Sequence, residues 1–399
     1  MLNITSVLSL LNISVFLKSH LFLLPVLYLF YADNGITLGD FFLLQGLNAL
    51  ACLLLDVPMG YVADRISKKK ILIFSGLILI LRFVLLYFFP SKVIIFLGEF
   101  LYAFVIVSFV GTADSYIYEL LKTQNKTTAM LKRYGRLYFW ISLGTSISSL
   151  SGAWFFKLYG ADTVILLTIV FASLSTLLLF FIPDIKLDKQ ISKSLSEKYI
   201  SFFQSVRYVF KKQEFVYLIW FSAFLTATYQ IFMWSMQPIM KMAGVPVTLF
   251  GVIFFLNHMA RASGSYFAHR ILNCISLKNL GWVVYTGFVL SFFAMIFIAS
   301  KTNLSLTIIL LVFICMMIAL QVTWLISAIA RIHDISTSKN RALSASVNSM
   351  IGRLLTAVCL ILSKFILDEN LIQLNLFLFL ILFLPSAFIL KRFNRLKDI

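Results

Sequence analysis

The chain's 399 residues are 61% apolar and only 13% charged, with a formal net charge of +18 and a mean hydropathy of +0.95. A soluble domain is nearer half apolar and a quarter charged, so the composition excludes a water-soluble enzyme or signalling domain and points to an all-α membrane protein. Cys52, Cys274, Cys315 and Cys359 are scattered through apolar segments without paired spacing, which suggests neither a disulfide framework nor a metal site.

A membrane-spanning helix needs about 20 apolar residues, and in lipid the backbone must satisfy its own hydrogen bonds. Twelve transmembrane helices are predicted on that basis, over 5–31, 38–62, 71–90, 93–120, 129–156, 162–182, 215–240, 247–269, 280–299, 304–330, 342–366 and 371–390. The first run is too long for a signal-peptide core and no small-residue cleavage site follows it, so it counts as span one. A polar interruption at 183–213 opens with Pro183 and Asp184, carries Lys186, Lys189, Lys193 and Lys198, and ends in "YISFFQSVRYVFKKQEF". Its alternation of apolar and basic residues suits a helix lying on the membrane surface or, equally, a solvated linker helix. The expected domains are an N-terminal six-helix bundle at 1–183, a cytoplasmic linker at 184–213 and a C-terminal six-helix bundle at 214–399.

Loops after even-numbered spans and the C-terminal tail hold most of the 34 Lys and Arg residues, while the opposite loops hold Lys92, Lys157, Lys241, Lys301 and Lys364. The positive-inside rule then puts both termini in the cytoplasm. The +18 charge is therefore mostly topology, and a nucleic-acid partner is not expected.

Six spans, a basic loop and six more suggest an internal duplication. "GYVADRI" at 60–66 is echoed by "SYFAHRI" at 265–271, and a glycine follows each arginine at the same distance, Gly76 after Arg65 and Gly281 after Arg270. "YGRL" at 134–137 has a counterpart in "IGRL" at 351–354.

"PMGYVADRISKKKIL" resembles the G-x-x-x-D-R-x-[GS]-[RK]-[RK]-[RK] loop between spans two and three of the major facilitator superfamily. Gly60, Asp64, Arg65, Lys68 and Lys69 match it, Ser67 stands where a glycine is usual, and the second copy is degenerate, with His269 in place of the aspartate. "LLDVPMG" at 54–60, "GTADSYIYELLK" at 111–122 and "NRALSASVNS" at 340–349 are similar to segments of a bacterial drug or toxin exporter branch. The resemblance covers nearly the whole chain. It implies two pseudo-symmetric six-helix bundles that open alternately to either side. In such a fold Asp64 can accept hydrogen bonds from a neighbouring helix N-terminus, and Arg65 can pair with Glu119 at the inner end of span four. Lys68 to Lys70 also read as purely topogenic.

Charge inside a span is costly and marks a functional candidate. The candidates are Lys18 and His20 in span one, Arg82 in three, Glu99 and Asp114 in four, Arg136 in five, His258 and Arg261 in eight and Arg353 in eleven. Asp114 lies about two turns from the cytoplasmic end of span four and Arg136 about two turns into span five. They read either as a proton-coupling switch or as a static pair, with Glu99 as a second proton candidate. Lys18, Arg82, Arg261 and Arg353 outnumber the acids, and an anionic group on a substrate would satisfy them; Lys18 or Arg82 could instead snorkel or pair with Glu99. "TATYQIFMWSMQP" at 226–238 sets Tyr229, Gln230, Met233, Trp234 and Gln237 on span seven, a mixed surface suited to a partly apolar cargo.

The chain has no G-x-x-x-x-G-K-[ST] phosphate loop, so no cofactor is expected and the proton gradient is the expected energy source. Family antiporters carry G-x-x-x-G-P-x-x-G-G in span five. The matching "GTSISSLSGA" keeps Gly144 and Gly152, with Ser148 and Ala153 as small substitutes and Ser149 in the proline's place, so close packing is expected without the bend. The reading is a monomeric, proton-driven exporter of a small amphipathic or anionic compound in a bacterial inner membrane, such as a drug, toxin, peptide antibiotic or siderophore. A proton-coupled importer of a small metabolite is the alternative. A non-transporting receptor or enzyme fits less well: HExxH, G-x-S-x-G and clustered His with acids are all missing, and His20, His258, His269 and His333 lie in four segments.

Overall fold

A backbone surrounded by lipid finds no water to bond, and helices are the simplest way to pair its groups within one segment. The computed structural model describes residues 4–122, 130–185, 200, 207, 210–300, 303–335, 341–367 and 371–395, and among these there is no strand. The surface helix expected within 184–213 lies mostly outside the described residues. Spans two, three and four are Leu38–Ala63, Lys68–Phe88 and Lys92–Lys122. Seven to eleven are Gln213–Met242, Val247–Cys274, Leu277–Ile298, Leu304–Ile335 and Arg341–Leu367.

Nine helices among the described residues are long and apolar enough to cross a membrane. One of them holds two spans: five and six run through Met130–Phe180 and are divided at Gly160, whose φ of +82° only glycine adopts readily. Span eight, Val247–Cys274, is long enough but carries Asn257, His258, Arg261, His269 and Arg270. Span twelve is two pieces, Ile372–Phe383 and Ser386–Asn394, parted at Pro385, which has no N–H to continue the ladder.

Span one departs from the continuous helix that its apolar run predicts. Ile4–Lys18 ends after 15 residues, a short 3₁₀ turn follows at Leu24–Val26, and Leu27–Asp33 continues the run. Side chains and local turns satisfy the polar groups released at the break. Ser19 Oγ donates to Val15 O at 2.8 Å, His20 Nδ1 meets Phe16 O at 2.7 Å, and the Leu24 N–H bonds Leu21 O at 3.0 Å. Span five backs this segment with its small residues. A Cβ on Gly144 would come within 2.5 Å of Phe16 O, and one on Gly152 would collide with Phe22 O. The small-residue stretch therefore seats the interrupted helix.

The duplication is visible in contacts. Ser67 caps span three by accepting from the Lys70 N–H, and Ser276 caps span nine by accepting from the Asn279 N–H. Lys69 Nζ donates to Phe180 O at the end of span six (2.7 Å), and Lys278 Nζ donates to Asn394 O at the end of span twelve (3.2 Å), each cation meeting a helix C-terminus where the dipole favours it. Gly76 lies against Thr176 of span six, and Gly281 against Leu390 of span twelve.

By packing, the chain forms two compact units. One comprises Met1–Ile36, Leu54–Lys198 and Val247–Met259, the other Thr37–Leu53, Tyr199–Pro246 and Ala260–Ile399. In the first, Val15, Leu72, Phe109 and Leu179 belong to one buried apolar cluster, and span eight's opening half touches span five where Gly251 meets Ser149 O at 2.7 Å from a built Cβ. In the second, the opening half of span two lies along span eleven. Asp40 pairs with Lys364 at 2.6 Å, a Cβ on Gly46 would lie 2.9 Å from Ile361 N, and Arg353 Nη1 donates to Cys52 O at 3.5 Å.

Candidate functional site

The loop between spans two and three is held by its own unit. Asp64 and Gly60 are exposed, and the Arg65 guanidinium lies over the Tyr61 ring at 4.1 Å. Glu119, expected to meet Arg65, pairs with Lys68. Lys68 is the first residue of span three and is buried, so its amine reaches across to span four. Ser67 Oγ donates to Asp184 at 2.5 Å and Tyr116 donates to Pro183 O at 2.8 Å, which ties the end of span six to the same corner.

Deeper in this unit three polar groups from three spans converge. Tyr31 donates to Glu99 Oε1 at 2.5 Å, and Arg82 Nη2 reaches the same oxygen at 2.9 Å and the Tyr31 hydroxyl at 3.3 Å. The Tyr102 ring covers the guanidinium at 4.3 Å. All three members of the knot are 4% exposed or less, so lipid and bulk water are excluded and the pair acts at low dielectric. Arg82 is thereby bound to Glu99, the protein pairing that its sequence position left open. Tyr31 belongs to the knot although sequence reasoning missed it; "FYAD" ends an apolar run without any sign that its hydroxyl turns inward.

Lys18, the last residue of the first helical piece, is also buried, with Nζ donating to Ser75 Oγ at 2.8 Å and lying 3.4 Å from the centre of the Phe109 ring. The His20 ring stacks on Phe171 at 4.6 Å. Asp114 accepts from the Tyr138 hydroxyl at 3.3 Å, while Arg136 is exposed.

The second unit is electrically different. From Phe215 to His333, and again from Ile335 to Leu367, the sequence has no Asp or Glu; Glu214, just before, is taken by Arg331 at 2.8 Å. Arg261 of span eight lies in this stretch with its guanidinium 4.3 Å from the centre of the Tyr229 ring, and no carboxylate among the described residues pairs with it. Tyr229 turns its hydroxyl to Met233 Sδ at 3.7 Å. Trp234 is edge-on to Phe41 at 5.8 Å, Gln230 is half-buried, and Gln237 is fully buried. Gln321 of span ten was not singled out by sequence, although a lone amide inside "IALQVTW" is a readable signal. It is fully buried and donates Nε2 to Leu225 O at 2.7 Å, while its Oε1 has no hydrogen-bond partner among the described residues.

The arrangement sets a guanidinium beside an aromatic ring in the second unit and brings a carboxylate, a guanidinium and a phenol into one buried hydrogen-bonded group in the first. Among the described residues no cluster of His, Cys, Asp and Glu could hold a metal ion.

Comparison with known proteins places this geometry. A family model described as the Major Facilitator Superfamily matches residues 2–358. The chain is similar to the solved nucleoside transporter NupG, with 15% identity, a TM-score of 0.80, and 98% of this chain and 100% of that one covered. It is similar to PepTSo, a POT family transporter, with 12% identity, a TM-score of 0.76 and 98% of each chain covered. A bacterial homolog of the human lysosomal transporter Spinster, solved in an inward-facing and unoccupied conformation, matches with 12% identity, a TM-score of 0.70, and 98% and 97% covered. No curated protein sequence matches the chain at a significant level.

Proposed function

Because the chain belongs to the major facilitator superfamily, we propose that it exports a small anionic or amphipathic compound, driven by protons entering in exchange, across the cytoplasmic membrane of a bacterium. The observation that carries the anionic part is Arg261. A guanidinium keeps its charge at any working pH, its only partner among the described residues is the Tyr229 ring, and the sequence from Phe215 to His333 contains no Asp or Glu. A negatively charged cargo supplies the missing counter-ion, with Tyr229 and Trp234 to cover an apolar body.

For the driving force, Glu99 is the favoured proton carrier, since neutralising it would release Arg82 and Tyr31 together, with Asp114 as the second candidate. The basic loops put both termini in the cytoplasm, which makes the Asp64 and Arg65 loop cytoplasmic. A reversed direction, proton-coupled import, is the second reading. It is favoured by Ser149 where antiporters of the family resemblance carry proline, and it fits the nucleoside transporter among the structural neighbours.

The test is the toxicity of a compound panel weighted toward anionic antibiotics in sensitive cells expressing wild type, Glu99→Gln or Arg261→Gln. Export predicts resistance with wild type, lost in both variants. Greater sensitivity with wild type than with empty cells would establish import, and resistance limited to cations would sink the anionic cargo.

A further inference from the structure

The geometry points to a cargo with two recognised features on one rigid body: an anionic group held by Arg261, and a hydrogen-bond donor held by Gln321, whose anchor on span seven lies about 6 Å along the helix from that of Arg261. This deepens the anionic reading above and rests on it.

Both residues meet span seven, one turn apart. Arg261 lies over the ring of Tyr229, and Gln321 is fastened through Nε2 to the carbonyl of Leu225, four residues earlier. Four residues of α-helix rise about 6 Å. The two contacts come from different neighbours, span eight and span ten, and both lie within one compact unit.

Gln321 has a defined deficiency. Its amide nitrogen is satisfied by protein, which fixes the side chain's orientation, while Oε1 is buried and receives no donor. A buried acceptor left unsatisfied is costly, and in a transporter the partner it awaits can be a group that comes and goes. A hydroxyl or N–H on the cargo would fill that role. A site built to bond such a group rejects an otherwise similar molecule that lacks it more sharply than an apolar pocket does.

Tyr229 supplies the third element. Its side chain is nine-tenths buried and its ring centre lies 4.3 Å from the guanidinium, so the ring backs the cation, whose remaining N–H groups can serve an oxyanion. A flat or apolar spacer then runs beside span seven toward Gln321. The chemical class is a monoacid whose hydroxyl or N–H is set at about the reach of a para-substituted ring, as opposed to a dibasic acid or a cation.

The experiment uses the full chain in nanodiscs and follows thermal unfolding with 4-hydroxybenzoate, 4-methoxybenzoate and 4-hydroxybenzyl alcohol as probes. 4-Hydroxybenzoate should stabilise the protein at concentrations about tenfold lower than 4-methoxybenzoate, which keeps the anion but has no donor. In Gln321→Met the two acids should become equal, and in Arg261→Gln neither should stabilise. Equal effects of the two acids on wild type would overturn the donor site and leave the anionic reading standing. Stabilisation by the neutral alcohol as strong as by the acids, or by neither acid, would overturn both. The wild-type comparison decides even if Gln321→Met does not fold.

Discussion

Spans one, three and four of the first half are joined by an ionic knot of Tyr31, Arg82 and Glu99. In the second half, spans seven, nine and twelve are joined by rings: Phe232 stacks on Phe288 at 5.5 Å and meets Phe292 edge-on at 4.7 Å, and Phe383 lies 6.1 Å from Phe292. The two halves share a fold, yet these two junctions are fastened by opposite chemistry. A knot of charge can be loosened by one proton, whereas packed rings do not respond to pH. The junction with the changeable fastening is the one to which the proposed function assigns coupling. The half with the fixed one leaves its arginine available to cargo, which fits the proposed function.

The sharpest way to break this comparison is Glu99→Ala. It leaves the Arg82 guanidinium buried without its carboxylate, at a cost of about 3–5 kcal/mol, and thermal unfolding in detergent should show it; the double variant with Arg82→Met should recover most of the loss. A harmless single variant would mean that the knot is hydrated and the contrast false. Phe288→Leu in the ring cluster should cost less, about 1–2 kcal/mol, and under the proposed function should leave the pH dependence of transport in vesicles unchanged; a changed pH dependence would assign the second half a role it lacks here.

A smaller effect is expected where span two meets span eleven. Asp40→Asn should destabilise by about 0.5–1 kcal/mol, since the Asp40–Lys364 pair is part-exposed, and exchanging the two charges should restore most of it. Smallest are Lys69→Ala and Lys278→Ala, each about 0.3–0.5 kcal/mol from lost contact with a helix end. Their equality in chemical unfolding would sharpen the repeat, and a large difference between them would argue that the capped corners are not equivalent.

Much of the fold could be read before the structure, because hydropathy reports lipid contact directly. Gly76 and Gly281, noted only as an echo, each meet the last span of their half. The break in span one was not legible: Ile4 to Tyr31 is one apolar run, and hydropathy does not record where a neighbour's glycines pull the chain in. Lys18, His20 and Pro25 were clues, but each is tolerated in an unbroken helix. Glu119 was expected beside Arg65 and meets Lys68 instead, a shift of three residues that decides which base faces span four. At the cargo site Arg261 stood out as a charge in a span. Gln321 was passed over, since a lone amide in an apolar span is a weaker signal than a charge, and only the structure shows its oxygen buried without a donor.

The break in span one also bears on how the chain is made. Ile4–Lys18, 15 residues, reaches about 22 Å as helix, short of a hydrocarbon core of about 30 Å. Entry into the bilayer on its own, before span five is made, would be served by the longer unbroken helix that Ile4 to Tyr31 can form. Gly144 and Gly152, which seat Phe16 and Phe22, are synthesised more than a hundred residues later. On that route the interruption is a late event of biogenesis, formed when span five arrives. Stalled nascent chains ending at Lys122 should show Ser19 to Leu23 protected from hydrogen exchange as continuous helix, and exchange already fast at that stage would show that the break needs no partner.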